Sequence, residues 1–429
     1  MPLNGARSWP KILFVTSHWP LAAAYGAQQR VLNIGRLLSR FGQVSFVIVP
    51  TEVEDDDTVR RTKCEFDVCR VIRPLLVAPH SLAQFHERFR HEFDPTYMAT
   101  DPYVVSEPDR LGLQELIQQH DVVWVHTIRT ANWFRIYRWP RSVLDVDDLP
   151  SRTEQSAARS VGSLASRLLN LRRAWIWRRR ERTFQERFDV LTVCSEEDRR
   201  YLGMEEHIHV IPNGFQRTAR RPRRSAELPI IGFIGNCEFT PNKDGARWFI
   251  RDVWPMVKRE FPGAQLRLVG RGSDGYWKRL GPDIVGLGWL EDPGDEIATW
   301  SAMIVPIRVG GGTRVKVAEG FARRCPVVAT TIGVFGYEVQ DGKEFLLADR
   351  ADDFAAACIR LLRNPHLREA LAERAYERFL ERWTWDSFQD TVGEAVHQCL
   401  TKNDASNVTK LSMRTPRNLE IHARENIDD

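Results

Sequence analysis

The chain has 429 residues, 43% of them hydrophobic, a net charge of +4 and seven cysteines. That length exceeds what one hydrophobic core usually holds and points to two domains, while the near-balanced charge argues against a nucleic-acid partner. The scattered cysteines, with no CxxC pair and no metal-ligand spacing, fit reduced thiols in the cytoplasm, and no run reaches the ~20 apolar residues of a membrane span, so any membrane contact is expected to be peripheral, at the inner face.

In chain order, KILFVTS (11–17) is a short apolar run read as a buried strand. In GAQQRVLNIGRLLSRFG, Val31, Ile34, Leu38 and Phe41 have helical spacing, and Gly42 stands as a C-cap. Strands follow at QVSFVIVP, DVVWVHT (121–127), RSVLDVDD (141–148), FDVLTVCS (188–195) and IHVIPNG (208–214). FQRTARRPRRSAELP (215–229) carries five arginines and two prolines without an apolar period, and reads as a linker over 215–228. The pattern then restarts, with strands at IIGFIG, AQLRLVG, IVGLGWL, SAMIVPIRV, PVVAT (326–330) and EFLLAD (344–349). DSFQDTVGEAVHQCL (386–400) reads as a last helix, and 401–429 has the polar composition of a disordered tail. The expected architecture is α/β: two Rossmann-like doubly wound domains, 1–214 and 229–385, facing across a cleft. Ligands in such sheets bind beyond the carboxyl ends of the strands.

One such strand end reads VGGGTRVKVAEG (309–320). Gly310, Gly311 and Gly312 leave backbone N–H groups uncovered, Thr313 is placed to cap the next helix, and Lys316 adds charge one turn in; together these favour an anion site over a plain tight turn. Glu319 shares a helix side with Val315, Ala318 and Ala322, so its carboxylate either finds ligand hydroxyls or pairs at the surface with Arg323, the latter worth only ~0.3–0.5 kcal/mol. His126 ends the strand DVVWVH and is either a substrate contact or a structural histidine. Other segments keep two readings each. GRGSDG (270–275) matches a dinucleotide fingerprint but lies on the third strand of its half. DVD (145–147), with Asp148, is either a metal-binding DxD or a strand end whose acids cap the next segment. In 170–188, Trp175 and Ile176 among Arg172, Arg173, Arg178, Arg179 and Arg180 form either a contact for anionic lipid or a solvated helix packed on the sheet.

IIGFIGNCEFTPNKDGARWFIRDVWP, GTRVKVAEGFARRCPVVATTIG and RFLERWTWDSF together resemble the nucleotide-binding domain of retaining GT-B glycosyltransferases of family 4, often called group 1. In the first half, GAQQR, HT after a strand, CSEED and VIPNG stand where that family has its landmarks. The resemblance implies a transferase that moves a sugar from a nucleotide-diphosphate-sugar donor to a saccharide or lipid-linked saccharide, with retention and no metal. No cofactor is implied, since the nucleotide sugar is the donor substrate. An anionic membrane surface is a further expected partner.

Carried over by position, Glu319 matches the glutamate that binds the ribose. The family's other glutamate, seven residues earlier in its motif, falls at Gly311, and this departure leaves a catalytically inactive, glycosyltransferase-like binding or scaffold protein as the rival reading. Backbone from Gly312 through Thr313 and Arg314 to Val315 would face the diphosphate. Lys243 matches the cation that neutralises it, and Asn236 stands near the family's usual arginine. Gly26 matches the N-terminal glycine loop, where Tyr25 replaces a glycine. His126 matches a histidine of the donor-sugar site, Trp289 falls in the loop that cradles the base, and helix 386–400 crosses back to the first domain. A metal-dependent transferase built on Asp145 and Asp147 would leave the whole second half unexplained.

Overall fold

The computed structural model describes residues 9–21, 26–51, 56–77, 81–99, 102–159, 163–203, 205–222, 228–275 and 281–412. Tyr25 and residues 413–429 lie outside them.

Lys11–Thr16 (β1), Gln43–Ile48 (β2), Asp67–Val71 (β3), Val122–His126 (β6), Ser142–Asp145 (β7), Val190–Val193 (β8) and Ile208–Val210 (β9) form one sheet in the order β3-β2-β1-β6-β7-β8-β9. Leu75–Leu76 (β4) and Tyr103–Val104 (β5) make a separate antiparallel pair. Ile230–Ile234 (β10), Gln265–Val269 (β11), Ile284–Gly288 (β12), Ala302–Val305 (β13), Val327–Ala329 (β14) and Leu346–Leu347 (β15) form a second sheet, ordered β12-β11-β10-β13-β14-β15. Every neighbouring pair in the two large sheets is parallel. Parallel sheets are covered on both faces, which is why their strands are continuous apolar runs: Ile12–Val15 and Val122–Val125 are fully buried. This is the two-domain, doubly wound α/β architecture expected. β3, β4 and β5 escape the sequence pattern because they are short, edge-like and largely exposed.

In each sheet the strand order reverses at one point, between β1 and β6 and between β10 and β13. A crevice opens at the carboxyl ends of strands that part in this way. His126 ends β6, and His18, Gly235 and the glycine turn at 310–312 follow the other three strands.

The chain crosses between the domains twice. At the first crossing the Phe215 N–H donates to the Trp383 carbonyl at 2.9 Å. Gly214 is required there, because a Cβ would lie 2.9 Å from both that carbonyl and the Phe388 ring. At the second, the helix Gln389–Ser412 returns to the first sheet, where His209 meets Gln398 at 2.8 Å and Lys402 donates to the Asp189 carbonyl at 2.9 Å. This helix starts later and runs further than the 386–400 expected, so 401–412 is helical rather than tail. Gly42 does not end the first helix, Gly26–Leu38; it lies four residues beyond, where the Pro10 carbonyl leaves no room for a Cβ. No helix of the described residues is long and apolar enough to cross a membrane.

Candidate functional site

In the first domain, the helix Gly26–Leu38 carries Arg30 on its buried stripe, in register with Ile34 and Leu37. Its guanidinium donates twice to Asp145 at the end of β7, at 3.0 and 2.6 Å, to the Ile211 carbonyl at 2.9 Å and to Asn213 Oδ1 at 3.2 Å. Thr192 adds a donor to Asp145 at 2.7 Å. Burial alone would lower the arginine's proton affinity, but Asp145 outweighs it and the cation is held firmly. Asp145 is thus fully engaged, and a metal ion there would have to displace an arginine.

Asp147, in a left-handed turn at φ 58°, accepts from Asn213 at 3.1 Å and from the Cys194 thiol at 3.2 Å. Burial would raise its carboxyl, yet His126 and Arg30 together hold it well below the usual carboxylate range. His126 is fully buried, its Nε2 3.7 Å from Asp147, and among the described residues neither ring nitrogen has a hydrogen-bond partner. The His18 ring stands edge-on at 5.8 Å; burial, then the His126 charge, push it down to about 4. Asp148 is exposed, with Gly312 of the second domain against its Oδ1. Desolvation there and the neighbouring Asp147 raise its carboxyl.

In the second domain, the turn at 310–312 leaves β13 and opens the helix Val315–Ala322. Gly310 (φ 139°) and Gly312 (φ 62°) occupy backbone space that other residues rarely adopt. The Lys316 ammonium reaches back over the Phe233 ring at 4.3 Å and donates to Asn242 Oδ1 at 2.7 Å. Burial, then the Arg314 cation, bring it down to about 7. A Cβ on Gly235, after β10, would lie 2.8 Å from that amine. Asn236 uses its side chain to accept from the Glu238 N–H at 2.9 Å, closing the loop before the helix Thr240–Trp248 that carries Lys243. Arg314 donates to the Gly311 carbonyl, while its Nε and Nη2 are buried without a hydrogen-bond partner among the described residues. Buried polar atoms without partners are rare enough to call for a cause, and both His126 and Arg314 line this cleft.

The two crevices meet. Gly310 N–H donates to Ser156 Oγ at 2.7 Å. A Cβ on Gly311 would lie 2.9 Å from Thr153 Oγ1, one on Gly312 would collide with Asp148, and one on Gly26 would lie 2.9 Å from Val315. Residues from both halves therefore surround one cleft: Gly26, His126, Asp147 and Asp148 on one wall, Gly311 to Lys316 on the other.

Three expectations change. Thr313 does not cap the following helix; Arg314 takes the cap position without a side-chain bond, because the Thr313 hydroxyl accepts from the Asn213 N–H at 2.9 Å. Glu319 pairs with Arg323 at 3.0 Å, but as a buried pair, not at the surface, and burial raises its carboxyl. Ile176 is buried while Trp175 is 56% exposed, so they do not share a face. In GRGSDG the fold uses its residues structurally: Ser273 accepts from the Gly288 N–H at 2.9 Å, and Gly270 packs against the Gly235 carbonyl. Trp289 stands 54% exposed just after β12. Sequence reasoning missed Arg30, Asn213 and Asn242. Arg30 had a signal, a charge on an apolar helical stripe; Asn213 and Asn242 are brought in only by tertiary packing.

Residues 228–364 match the family described as Glycosyl transferases group 1. A phosphatidyl-myo-inositol mannosyltransferase of Mycolicibacterium smegmatis is 30% identical over 139 residues, 30% of this chain and 36% of that protein. An uncharacterised protein from the cps region of Klebsiella pneumoniae is 25% identical over 161 residues, 35% of this chain and 42% of its own length. The chain thus aligns with less than half of the length of these curated relatives. Over nine-tenths of its length it shares the GT-B fold. Sucrose-phosphate synthase from Thermosynechococcus elongatus superposes with a TM-score of 0.59 at 17% identity, covering 94% of this chain and 100% of that one. Anabaena HepE, in complex with UDP and glucose, does so at 0.58 and 14%, covering 90% and 99%.

Proposed function

We propose that the chain is a retaining glycosyltransferase of family 4 that moves a sugar from a nucleotide-diphosphate-sugar donor to a saccharide or lipid-linked saccharide acceptor. The observation that carries the reading is the glycine turn at the β10/β13 crevice, with Lys316 and the unpartnered nitrogens of Arg314 beside it, inside the segment that matches group 1 glycosyltransferases. A nucleoside diphosphate leaves readily once its growing charge is met. Lys316, Arg314, Lys243 and the start of the 315–322 helix would meet it, with the protein's own cations in that role. Glu319, held by Arg323 through one oxygen, would offer the other to the ribose. Trp289 would lie against the base, and His126 would bond a hydroxyl of the donor sugar. With Gly311 in place of an acid, the second wall presents backbone to the sugar, and Asp148 from the first domain brings a carboxylate against the adjacent Gly312. We name no protein nucleophile. The turn is packed on the first domain, so donor entry requires the domains to part about the Phe215–Trp383 crossing.

Thermal-shift titration with UDP-, GDP- and ADP-sugars tests this, because a ligand that binds only the folded state raises its melting temperature. One base is expected to stabilise the wild type and to lose that effect in Lys316→Ala. If no donor shifts the melting temperature and none is hydrolysed, the chain is a non-catalytic relative and the proposal fails.

A further inference from the structure

Two helices of the first domain, Leu82–Phe93 and Leu164–Glu181, hold large apolar side chains out to solvent. Leu82, Phe85 and Phe89 on the first, and Leu164, Leu168 and Trp175 on the second, are 53% to 89% exposed. Each set recurs at helical spacing, so each forms a stripe. Elsewhere such stripes face a core; these stay open to solvent, with Arg179 over the Trp175 ring at 5.2 Å and Phe89 stacked on Phe93 at 4.8 Å.

The two helices pack against each other. Arg172 and Arg173 both pair with Glu92 of the first helix, and the Arg172 guanidinium lies 4.4 Å over the Phe93 ring. Arg180 donates to carbonyls at that helix's end, those of His91 and Asp94 at 2.8 Å. The two helices hold eight arginines and three glutamates. All three glutamates are engaged: Glu87 with Arg135, Glu92 as above, and buried Glu181 with Ser151. Arg88 and Arg179 stand exposed beside the stripes.

We infer that this two-helix face docks onto an anionic lipid bilayer, the apolar tips entering the headgroup region and the arginines meeting lipid phosphates. A nucleic acid would satisfy the arginines and leave leucines and phenylalanines in water. An apolar protein groove would do the reverse. An anionic bilayer offers both chemistries in one plane. The face also communicates with the cleft. Ser151, on the helix Pro150–Arg159, donates from its N–H and hydroxyl to Glu181 at 2.9 and 2.6 Å, and Ser156 on the same helix accepts from Gly310. An acceptor held in the bilayer would thus lie one helix away from the cleft.

Full-length protein without nucleotide is sedimented with vesicles of phosphatidylcholine alone or mixed with phosphatidylglycerol. The wild type is expected to bind the mixed vesicles and to bind neutral ones far less. Phe85→Ser with Phe89→Ser is expected to lower partition roughly tenfold or more. Arg88→Glu with Arg179→Glu is expected to lose the preference for phosphatidylglycerol. All these side chains are exposed, so an unchanged melting temperature certifies the fold. A wild type that stays in the supernatant with both vesicles overturns the inference. So does a serine variant that sediments like the wild type, or a solution dimer that the serine variant dissociates, which would give the face to a second copy. Nucleotide binding is read separately by thermal shift, so neither proposal's failure is mistaken for the other's.

Discussion

At the end of β7 the buried Arg30 guanidinium is enclosed by Asp145, Asn213 and the Ile211 carbonyl, while at the start of the 315–322 helix the Lys316 amine meets a neutral amide and the face of a phenyl ring. Both groups sit beyond strand ends that a doubly wound sheet turns into crevices. The first pair is complete within the fold: removing either partner would leave an uncompensated buried charge. Across the cleft, no described acid forms an ion pair with Lys316 or Arg314, although Glu319 and Asp148 stand near enough to act on them, and burial, then the Arg314 cation, loosen the Lys316 proton. Internal pairing marks a wall; unpaired charge of one sign marks a place for a ligand of the other.

The largest test of this contrast is Arg30→Met. Breaking the buried pair is expected to cost about 3–5 kcal/mol, read as a fall in denaturation midpoint or a loss of folded protein. Should the variant denature like the wild type, the wall reading is wrong. Lys316→Gln is expected to keep the fold and to weaken nucleoside-diphosphate binding roughly 10- to 100-fold, the scale of one charge-assisted hydrogen bond, measurable by calorimetry. Gly312→Ala, at φ 62° and against Asp148, is expected to cost about 1–3 kcal/mol in thermal unfolding; relief on adding Asp148→Ala would assign part of that to the cross-domain contact.

The pH dependence is subtler and has a definite sign. The folded value of Lys316 is lowered from 10.5 to about 7, so between those limits the unfolded chain binds the extra proton. Its contribution to stability therefore rises with pH through that window and is flat below it. Asp148 acts oppositely: its folded value is raised, so its contribution falls as pH climbs out of the ordinary carboxylate range. Diphosphate binding should draw a proton onto Lys316 near pH 8, visible as a buffer-dependent calorimetric enthalpy that vanishes in Lys316→Gln. The smallest expected effect is Trp289→Ala, an exposed site where stability should move by no more than about 0.5 kcal/mol; any loss of affinity for the nucleotide then speaks for contact with the base.

One side of this contrast, the turn with Lys316, was legible in the chain, and the Arg30 side was not. Buried parallel strands announce themselves as apolar runs, and the glycine turn with its lysine stood out because so much bare backbone needs a reason. What lay beyond reading was partnership across the cleft. Thr313 had the chemistry of a helix cap, yet Asn213, a hundred residues earlier, claims its hydroxyl. Glu319 could be paired with Arg323 from spacing, but its burial depends on surrounding packing that no local pattern encodes. The exposed stripe on Leu82–Phe93 has ordinary amphipathic periodicity, and only the tertiary structure shows that its apolar side faces outward.

The return of the last helix to the first sheet also decides how this molecule can be dissected. A protease that nicks the arginine-rich connector near residues 216–222 leaves the halves tied, because Gln389–Ser412 remains lodged against β8 and the Gly26–Leu38 helix. A fragment that stops before Gln389 strips the first sheet of a covering layer, and one that begins at Ile230 carries a helix whose resting place has been removed. The second half is therefore no detachable cassette: exchanging it between relatives means exchanging everything up to Trp383 and leaving the final helix with the sheet it covers.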